Sequence, residues 1–203
     1  MKKFFTILLL LIAVELIPVS CSILCPCGCE PSSGVKNFDI LSFGVETTSM
    51  NHVNLDTSAF HLFDDVVKVL FVKDKMYLSH NSESFGSGLF ITGAYACSPE
   101  PISSIQKISD INIISHVTTT LNDENDLINK GDDLSTRFVV AGNWSNDFRP
   151  INLFVGNSIY EEERFRIKLN QKPFKETKLV FDIVITLSDG KKFELKNEIL
   201  KVR

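Results

Sequence analysis

Five cysteines carry most of the chemistry that the residue types of this sequence could support. Three of them alternate with Pro and Gly in Cys25-Pro26-Cys27-Gly28-Cys29, Cys21 lies shortly before them, and Cys97 lies far along the chain. A thiol can be acylated, oxidised to a disulfide, or bind zinc or copper as a thiolate. Which chemistry applies depends on the compartment, and the segment before Cys21 bears on that.

The first twenty residues have the pattern of an export signal. Lys2 and Lys3 precede an apolar stretch from Phe4 to Val14, which at the helical rise spans roughly 16 Å, about half of a hydrocarbon core. The stretch therefore predicts a signal peptide over residues 1–20 and not a membrane span. Because no later segment approaches 18 consecutive apolar residues, we expect the mature chain not to be an integral membrane protein.

The end of this leader, Val19-Ser20-Cys21, resembles the lipobox of bacterial lipoproteins. The resemblance implies a diacylglyceryl group on the Cys21 sulfur and cleavage just before that residue. Pro18, where the pattern usually has Leu, and Glu15 depart from it, and secretion with a free Cys21 is the alternative. Ser22 would be the second residue of the mature chain, and no acidic residue directly follows it. This pattern favours sorting to the periplasmic face of the outer membrane.

Four thiols remain if Cys21 is acylated. In an oxidising compartment an even number of cysteines predicts disulfides first, and three connectivities are open. Cysteines two residues apart are poorly placed to bridge, because their Cα atoms lie near the limit of roughly 7 Å. We therefore expect one of Cys25, Cys27 and Cys29 to pair with Cys97. A metal site is an alternative, although zinc ligands are usually spaced by two to four residues, and further lipidation or free thiols are another.

No assembled catalytic motif is present in the sequence. It lacks a nucleophile elbow, a zinc-protease helix motif, a phosphate-binding Gly-rich loop and a dinucleotide fingerprint. The four histidines are scattered, at positions 52, 61, 80 and 116. The sequence therefore predicts a protein that is not an enzyme and holds neither a cofactor nor a metal. An envelope hydrolase whose site is assembled only by the fold is the alternative.

Two segments could contact a ligand. The loop over residues 123–133 holds five carboxylates, which suit calcium, but the EF-hand spacing fails because Leu127 and Ile128 stand where a ligand and a Gly should be. A solvated loop is therefore favoured over a calcium site. Trp144, the only Trp, either plugs the end of the core from a loop or offers an exposed aromatic platform to a sugar ring or a partner protein.

Charge divides the chain into an acidic and a basic part. The formal net charge of −4 argues against a nucleic-acid partner, which requires a basic face. Residues 21–163 hold 8 Lys and Arg against 19 Asp and Glu, whereas residues 164–203 hold 11 against 5. We expect acidic loops beside a basic hairpin, and a basic strand surface that docks on phosphate or an acidic glycan is the alternative.

Hydrophobic periodicity of two residues predicts strands throughout residues 37–203. Over Arg164–Leu169 the apolar and the cationic side chains point to opposite faces, and Phe38–Val45 changes phase as at a β-bulge. Leu179–Leu187 alternates cleanly, and Asp189-Gly190 then predicts a type I′ turn. Many short strands without helical periodicity predict an all-β fold, a β-sandwich of Ig-like or related antiparallel two-sheet architecture with few or no helices.

Two motifs of the mature chain resemble uncharacterised small lipoproteins of the Bacteroidota. They are Cys25-Pro26-Cys27-Gly28-Cys29, and Ala94-Tyr95-Ala96-Cys97-Ser98-Pro99 leading into Ile105-Gln106-Lys107-Ile108-Ser109-Asp110-Ile111. The resemblance covers most of the mature chain and implies an envelope protein of unassigned activity, with no catalytic residues to transfer. A lipidated, Cys-rich tether over residues 21–36 would then precede the β-domain.

Taken together, these patterns predict a lipid-anchored protein of the cell envelope. Its contact with the membrane would be the lipid anchor, and its β-domain would bind a protein or a glycan, or have a structural role, without catalysis.

Overall fold

The computed structural model describes residues 37–78, 101–143 and 145–203, and this part of the chain is built from strands. Two short 3-10 turns occupy Ser135–Arg137 and Ile151–Leu153. Within the three described ranges no helix has the length and hydropathy needed to cross a membrane. The strands are β1 (Asn37–Ser49), β2 (Val66–Leu78), β3 (Ser103–Ser115), β4 (Thr119–Thr120), β5 (Leu127–Ile128), β6 (Phe138–Gly142), β7 (Arg149–Pro150), β8 (Ser158–Tyr160), β9 (Arg164–Leu169), β10 (Thr177–Leu187) and β11 (Lys192–Val202).

The main strands form two layers that are joined through β3, which pairs with a strand of each layer. In one layer the hydrogen-bonded order is β1-β2-β9-β6-β7, and in the other it is β3-β10-β11. The first half of β3 meets β1 in parallel, where Ser104 pairs with Phe38, and its second half is antiparallel to β10. The predicted all-β, two-sheet architecture is therefore confirmed, with a mixed strand direction at the place where β3 passes from one layer to the other.

Apolar side chains from both layers form one core. Phe43 on β1 meets Phe193 on β11 with ring centroids 5.3 Å apart, and Phe138 on β6 meets Phe181 on β10 at 5.4 Å, both edge to face. Such ring pairs contribute about 0.5–1.5 kcal/mol beyond the area that they bury. The alternation predicted for β9 is also confirmed, because Phe165, Ile167 and Leu169 are buried in this core.

The irregular points of the strands agree with the sequence at one place and differ at another. The register between β1 and β2 shifts on both sides of Ser42, so the predicted bulge is confirmed. The predicted type I′ turn is wrong, because Gly190 has a positive φ of 85° and Asp189 does not. The N–H of Gly190 donates to Leu187 O, and the Asp189 carboxylate accepts the N–H of Lys191 at 3.0 Å. These bonds favour a three-residue loop in which only the glycine needs a left-handed conformation.

Candidate ligand-binding face

Most of the site residues predicted from sequence lie outside the described residues. The leader and the tether fall there, as do Cys21, Cys25, Cys27, Cys29, Cys97 and Trp144. Lipidation, disulfide pairing and the aromatic platform therefore remain predictions.

The acidic loop uses its carboxylates to hold its own backbone. Asp123 accepts the N–H groups of Asn125 and Asp126 at 2.7 and 2.9 Å. The Asp126 carboxylate in turn pairs with both terminal nitrogens of Arg137, at 2.5 and 3.1 Å. In the described part of the chain no group of three or more His, Cys, Asp or Glu residues is placed to hold a metal ion. These contacts support the hydrogen-bonded, solvated loop over the calcium site.

His116 lies beside a carboxylate, as the hydrolase alternative would require. His116 Nε2 is 2.8 Å from Asp182 Oδ2, and Asp182 also accepts the N–H of Asn197 at 2.8 Å. Burial raises the pKa of Asp182, but the bonds from Asn197 and His116 outweigh burial and the pKa is lowered overall. Asn197 has a positive φ of 57° at the bulge of β11. The pair therefore fixes this bulge, and the described contacts place no nucleophile beside it.

Three cations form a row on the outer face of β9. Arg164, Arg166 and Lys168 alternate with the core residues of the same strand. Alternate residues of a strand lie about 6.6–6.8 Å apart, so the row is roughly 13 Å long. We call these three side chains the cation row. Their direction follows from the sequence alternation, whereas their surroundings come from distant segments.

Both ends of the cation row lie over aromatic rings. The Arg164 guanidinium is 5.1 Å from the centroid of Phe71, and its ion pair with Glu46 is long, at 3.4 Å. Lys168 Nζ is 4.5 Å from the centroid of Phe148 and 6.0 Å from that of Phe63. Rings hold cations in place without neutralising them, so among the described contacts Glu46 is the one carboxylate paired with the row.

The middle of the row is buried. Arg166 is 2% exposed, and its Nη2 donates to the carbonyl of Ser145 and, at 3.2 Å, to Asn146 Oδ1. Its Nη1 is 4.0 Å from Met50 Sδ, and its guanidinium is 5.4 Å from the Phe148 ring centroid. The Nε atom is buried and has no hydrogen-bond partner among residues 37–78, 101–143 and 145–203. Desolvation lowers the pKa of Arg166, and none of its contacts within the described ranges is a carboxylate.

The connection between β6 and β7 covers this arginine. Ser145–Phe148 is held by short-range bonds, from the Ser145 N–H to Gly142 O at 3.1 Å and from the Asp147 N–H to Ser145 Oγ at 3.1 Å. Arg149, at the start of β7, pairs with Asp147. We call residues Ser145–Phe148 the cover segment. It brings a carbonyl, an amide and an aromatic ring onto the outer face of β9.

A groove of about 810 Å³ begins next to the cover segment. The turn after β8 lines it with Glu161, Glu162 and Glu163, and Asn143 lines it from the end of β6. Asn143 Oδ1 is buried without a hydrogen-bond partner in the part of the chain that the structure describes. Burial raises the pKa of Glu163, and the N–H of Tyr160 donates to its carboxylate at 2.9 Å. The groove therefore offers acceptors, whereas the cation row offers donors.

Sequence reasoning found the direction of the cation row and missed the burial at its centre. The alternation over Arg164–Leu169 predicts the direction of these side chains. No sequence signal marked Ser145–Phe148 as a cover, because it precedes β9 by about 20 residues and reaches it only through the pairing of β6 with β9.

Comparison with known proteins leaves the family open. No protein-family model matches the chain, and no curated protein matches it. Among solved structures, it is similar to the C-terminal domain of the antigen I/II-family protein AspA of Streptococcus pyogenes, at 11% identity and a TM-score of 0.28 over 80% of this chain and 46% of that one. The C-terminal domain of the Streptococcus agalactiae AgI/II polypeptide BspA gives 11% and 0.29, over 80% and 49%. The chain thus spans about half of the structures that it matches, and a likeness this slight carries no argument about function.

Proposed function

We propose that this chain is a lipid-anchored cell-envelope protein, on the periplasmic face of the outer membrane, whose β-sandwich binds an acidic glycan without catalysis. The observation that carries the binding role is the cation row, three positive side chains on one strand of a chain whose net charge is −4. Such a local field in an acidic protein attracts a polyanion only where the cations are concentrated.

A linear polyanion fits this row better than a folded partner does. The row is roughly 13 Å long and one strand wide, whereas a stable protein interface buries about 800 Å² on each partner. The faces of Phe71 and Phe148 are occupied by the cations themselves, at 5.1 and 4.5 Å. The rings are thus engaged in holding charge, so the acidic groups of the glycan, rather than its sugar faces, would make the main contacts.

Binding is tested with dextran sulfate immobilised beside uncharged dextran, at about 0.15 M NaCl. We expect the purified full chain to be retained on dextran sulfate alone, and the double variant Arg164→Gln/Lys168→Gln to lose most of this retention. Lys178→Gln/Lys192→Gln is the matched control, because both lysines are exposed on β10 and β11 and the loss of charge is the same. Equal losses in the two double variants would mean that the row has no special role.

The anchor is tested by Cys21→Ala. Each CH₂ group of an acyl chain buried in the bilayer contributes ~0.8 kcal/mol, so an anchor of two or three chains holds the protein almost permanently. We expect the wild-type chain in the membrane fraction and the variant in the soluble fraction. Mass spectrometry of the amino terminus is the second measurement, and an unmodified Cys21 in native material would contradict the proposal.

A hydrolase is a second candidate, favoured by one observation. Burial raises the pKa of Glu163 in a groove that Glu161 and Glu162 also line, and carboxyls with raised pKa values are typical of acid catalysts. Release of reducing ends from an acidic glycan, lost in Glu163→Gln and kept in Glu162→Gln, would support this candidate. Binding without any release would support the non-enzymatic role.

A further inference from the structure

The centre of the cation row is built differently from its ends. Arg164 and Lys168 reach solvent at the edges of the outer face, whereas Arg166 is 2% exposed. A buried charge is costly unless it is paired or coordinated. Arg166 nevertheless has only neutral neighbours in the described structure, which are a carbonyl, an amide oxygen, a thioether and a ring.

Those neighbours leave the hydrogen-bonding capacity of Arg166 incomplete. A guanidinium has five N–H donors in a planar fork, which matches the two oxygens of an oxyanion. Nε is buried without an acceptor from the described ranges, and the contact of Nη1 with Met50 Sδ is long, at 4.0 Å. The two contacts of Nη2 both come from the cover segment. One short segment therefore supplies the oxygen acceptors of this side chain in the described structure.

We propose that Arg166 binds a single oxyanion group of the ligand (a sulfate, phosphate or carboxylate), and that Ser145–Phe148 covers this site until the anion replaces it. The inference rests on the proposed function, which it deepens by naming the contact that selects the acidic group. The incoming oxygens accept from Nε and Nη2, and the Ser145 carbonyl and the Asn146 amide turn to water. Arg164 and Lys168, on either side, attract the anion to the place where the cover opens.

We expect the cover segment to respond to anions. Sodium sulfate, sodium phosphate and sodium acetate are each titrated into the full chain against NaCl at equal ionic strength. Thermal unfolding and amide hydrogen exchange of residues 145–148 are measured together. We expect a saturable rise in Tm with at least one oxyanion and faster exchange in the cover segment. An equal response to chloride at every concentration would overturn the proposal.

Two variants separate an anion site from a structural arginine. Arg166→Met keeps the bulk of the side chain and should weaken oxyanion binding by about tenfold or more, as expected for a lost charged hydrogen bond. Asn146→Asp places a carboxylate where the amide oxygen now lies, 3.2 Å from Nη2. This variant should fold at least as well as the wild type and lose the oxyanion response, because it carries its own counter-ion. Lys178→Gln is the control and should keep the full response.

Failure of the proposal differs from failure of the proposed function. If Asn146→Asp and Arg166→Met bind dextran sulfate as the wild type does, and the cover segment does not respond to oxyanions, then the row binds polyanions through its exposed ends and the assignment to Arg166 is wrong. If the wild type does not bind dextran sulfate at all, the proposed function fails first. If the oxyanions act but Asn146→Asp responds like the wild type, the anion binds elsewhere and the inference is overturned.

Discussion

Two cations are buried on opposite faces of the same sheet, and they differ in whether the described structure places a counter-ion beside them. Lys68 on β2 points into the space between the two layers, is 2% exposed, and lies 2.8 Å from Glu198 Oε2 on β11. Arg166 on β9, also 2% exposed, points outward, and in the described part of the chain it meets only neutral groups of the cover segment and its surroundings. The strands are neighbours, with Lys68 paired to Ile167 and Val69 paired to Arg166.

The difference separates a structural charge from an available one. The partner of Lys68 belongs to the opposite layer, so their ion pair fixes how β11 lies over β2. Among the described residues Arg166 has no such partner, and it is held by a segment of only four residues. Removing the partner of a charge that stabilises the fold should lower the free energy of unfolding. Adding a carboxylate beside a charge that binds a ligand should not lower it.

The largest effect is expected at the paired cation. Glu198→Gln removes the counter-ion of Lys68 and should cost about 3 kcal/mol in the free energy of unfolding, near the lower end for broken buried pairs because Glu198 itself is 20% exposed. Chemical denaturation measures this cost. Glu194→Gln on the same strand is the matched control, because the pair of Glu194 with Lys196 is exposed and should contribute under about 0.5 kcal/mol.

A double variant tests whether the cost comes from the stranded charge. Lys68→Met/Glu198→Gln leaves no buried cation, and replacing a buried ion pair by apolar groups is often neutral or stabilising. We therefore expect it to recover most of the stability lost in Glu198→Gln. If the double variant is as unstable as the single one, the loss comes from packing around Glu198, and the contrast with Arg166 disappears.

A smaller effect of opposite sign is expected at the unpaired cation. Asn146→Asp should raise the free energy of unfolding by about 1 kcal/mol, below the full value of a charged hydrogen bond because Asn146 is exposed. Asn143→Asp, three residues earlier in the same connection, lies in the lining of the acidic groove and should not stabilise the protein. A fall in stability in Asn146→Asp, measured by denaturation at pH 7, would show that Arg166 is already satisfied.

These two cations also show which features of the structure can be predicted from the sequence. Lys68 interrupts an apolar run, Val66–Val72, which predicts a buried strand, and the structure buries its first part, Val66–Leu70. Its partner Glu198 is 130 residues away, and no local pattern points to that residue. The alternation around Arg166 predicts an outward, solvent-facing side chain. It is instead buried from outside by a loop, because side-chain period reports the face of a strand and not what covers that face.

The same distinction applies to the fold as a whole. The bounds of β9 and the alternation of β10 follow from periodicity, since each strand has one face in the core. The exchange of β3 between layers does not, because its two halves pair with strands about 65 and 75 residues away in opposite chain directions. Local patterns specify strands, and long-range pairing decides which residues meet at a site.

The smallest effect concerns a partly buried anion, Glu163, which resembles Arg166 more than Lys68 because no counter-ion is placed beside it in the described residues. Desolvation raises the pKa of Glu163, and no cation contacts its carboxylate among the described residues. A carboxyl whose pKa is higher in the folded than in the unfolded state favours folding at low pH, and that contribution is lost as the pH rises through the folded pKa. Glu163→Gln keeps the acceptor for the Tyr160 N–H and has no charge to bury. We therefore expect its Tm to exceed that of the wild type slightly at pH 7 and to match it below about pH 4, where the unfolded carboxyl is also protonated.

Glu162→Gln, exposed in the same turn, is the control. A Tm difference that does not change with pH would mean that Glu163 acts through packing, and the comparison of charges with and without a counter-ion would then rest on Lys68 and Arg166.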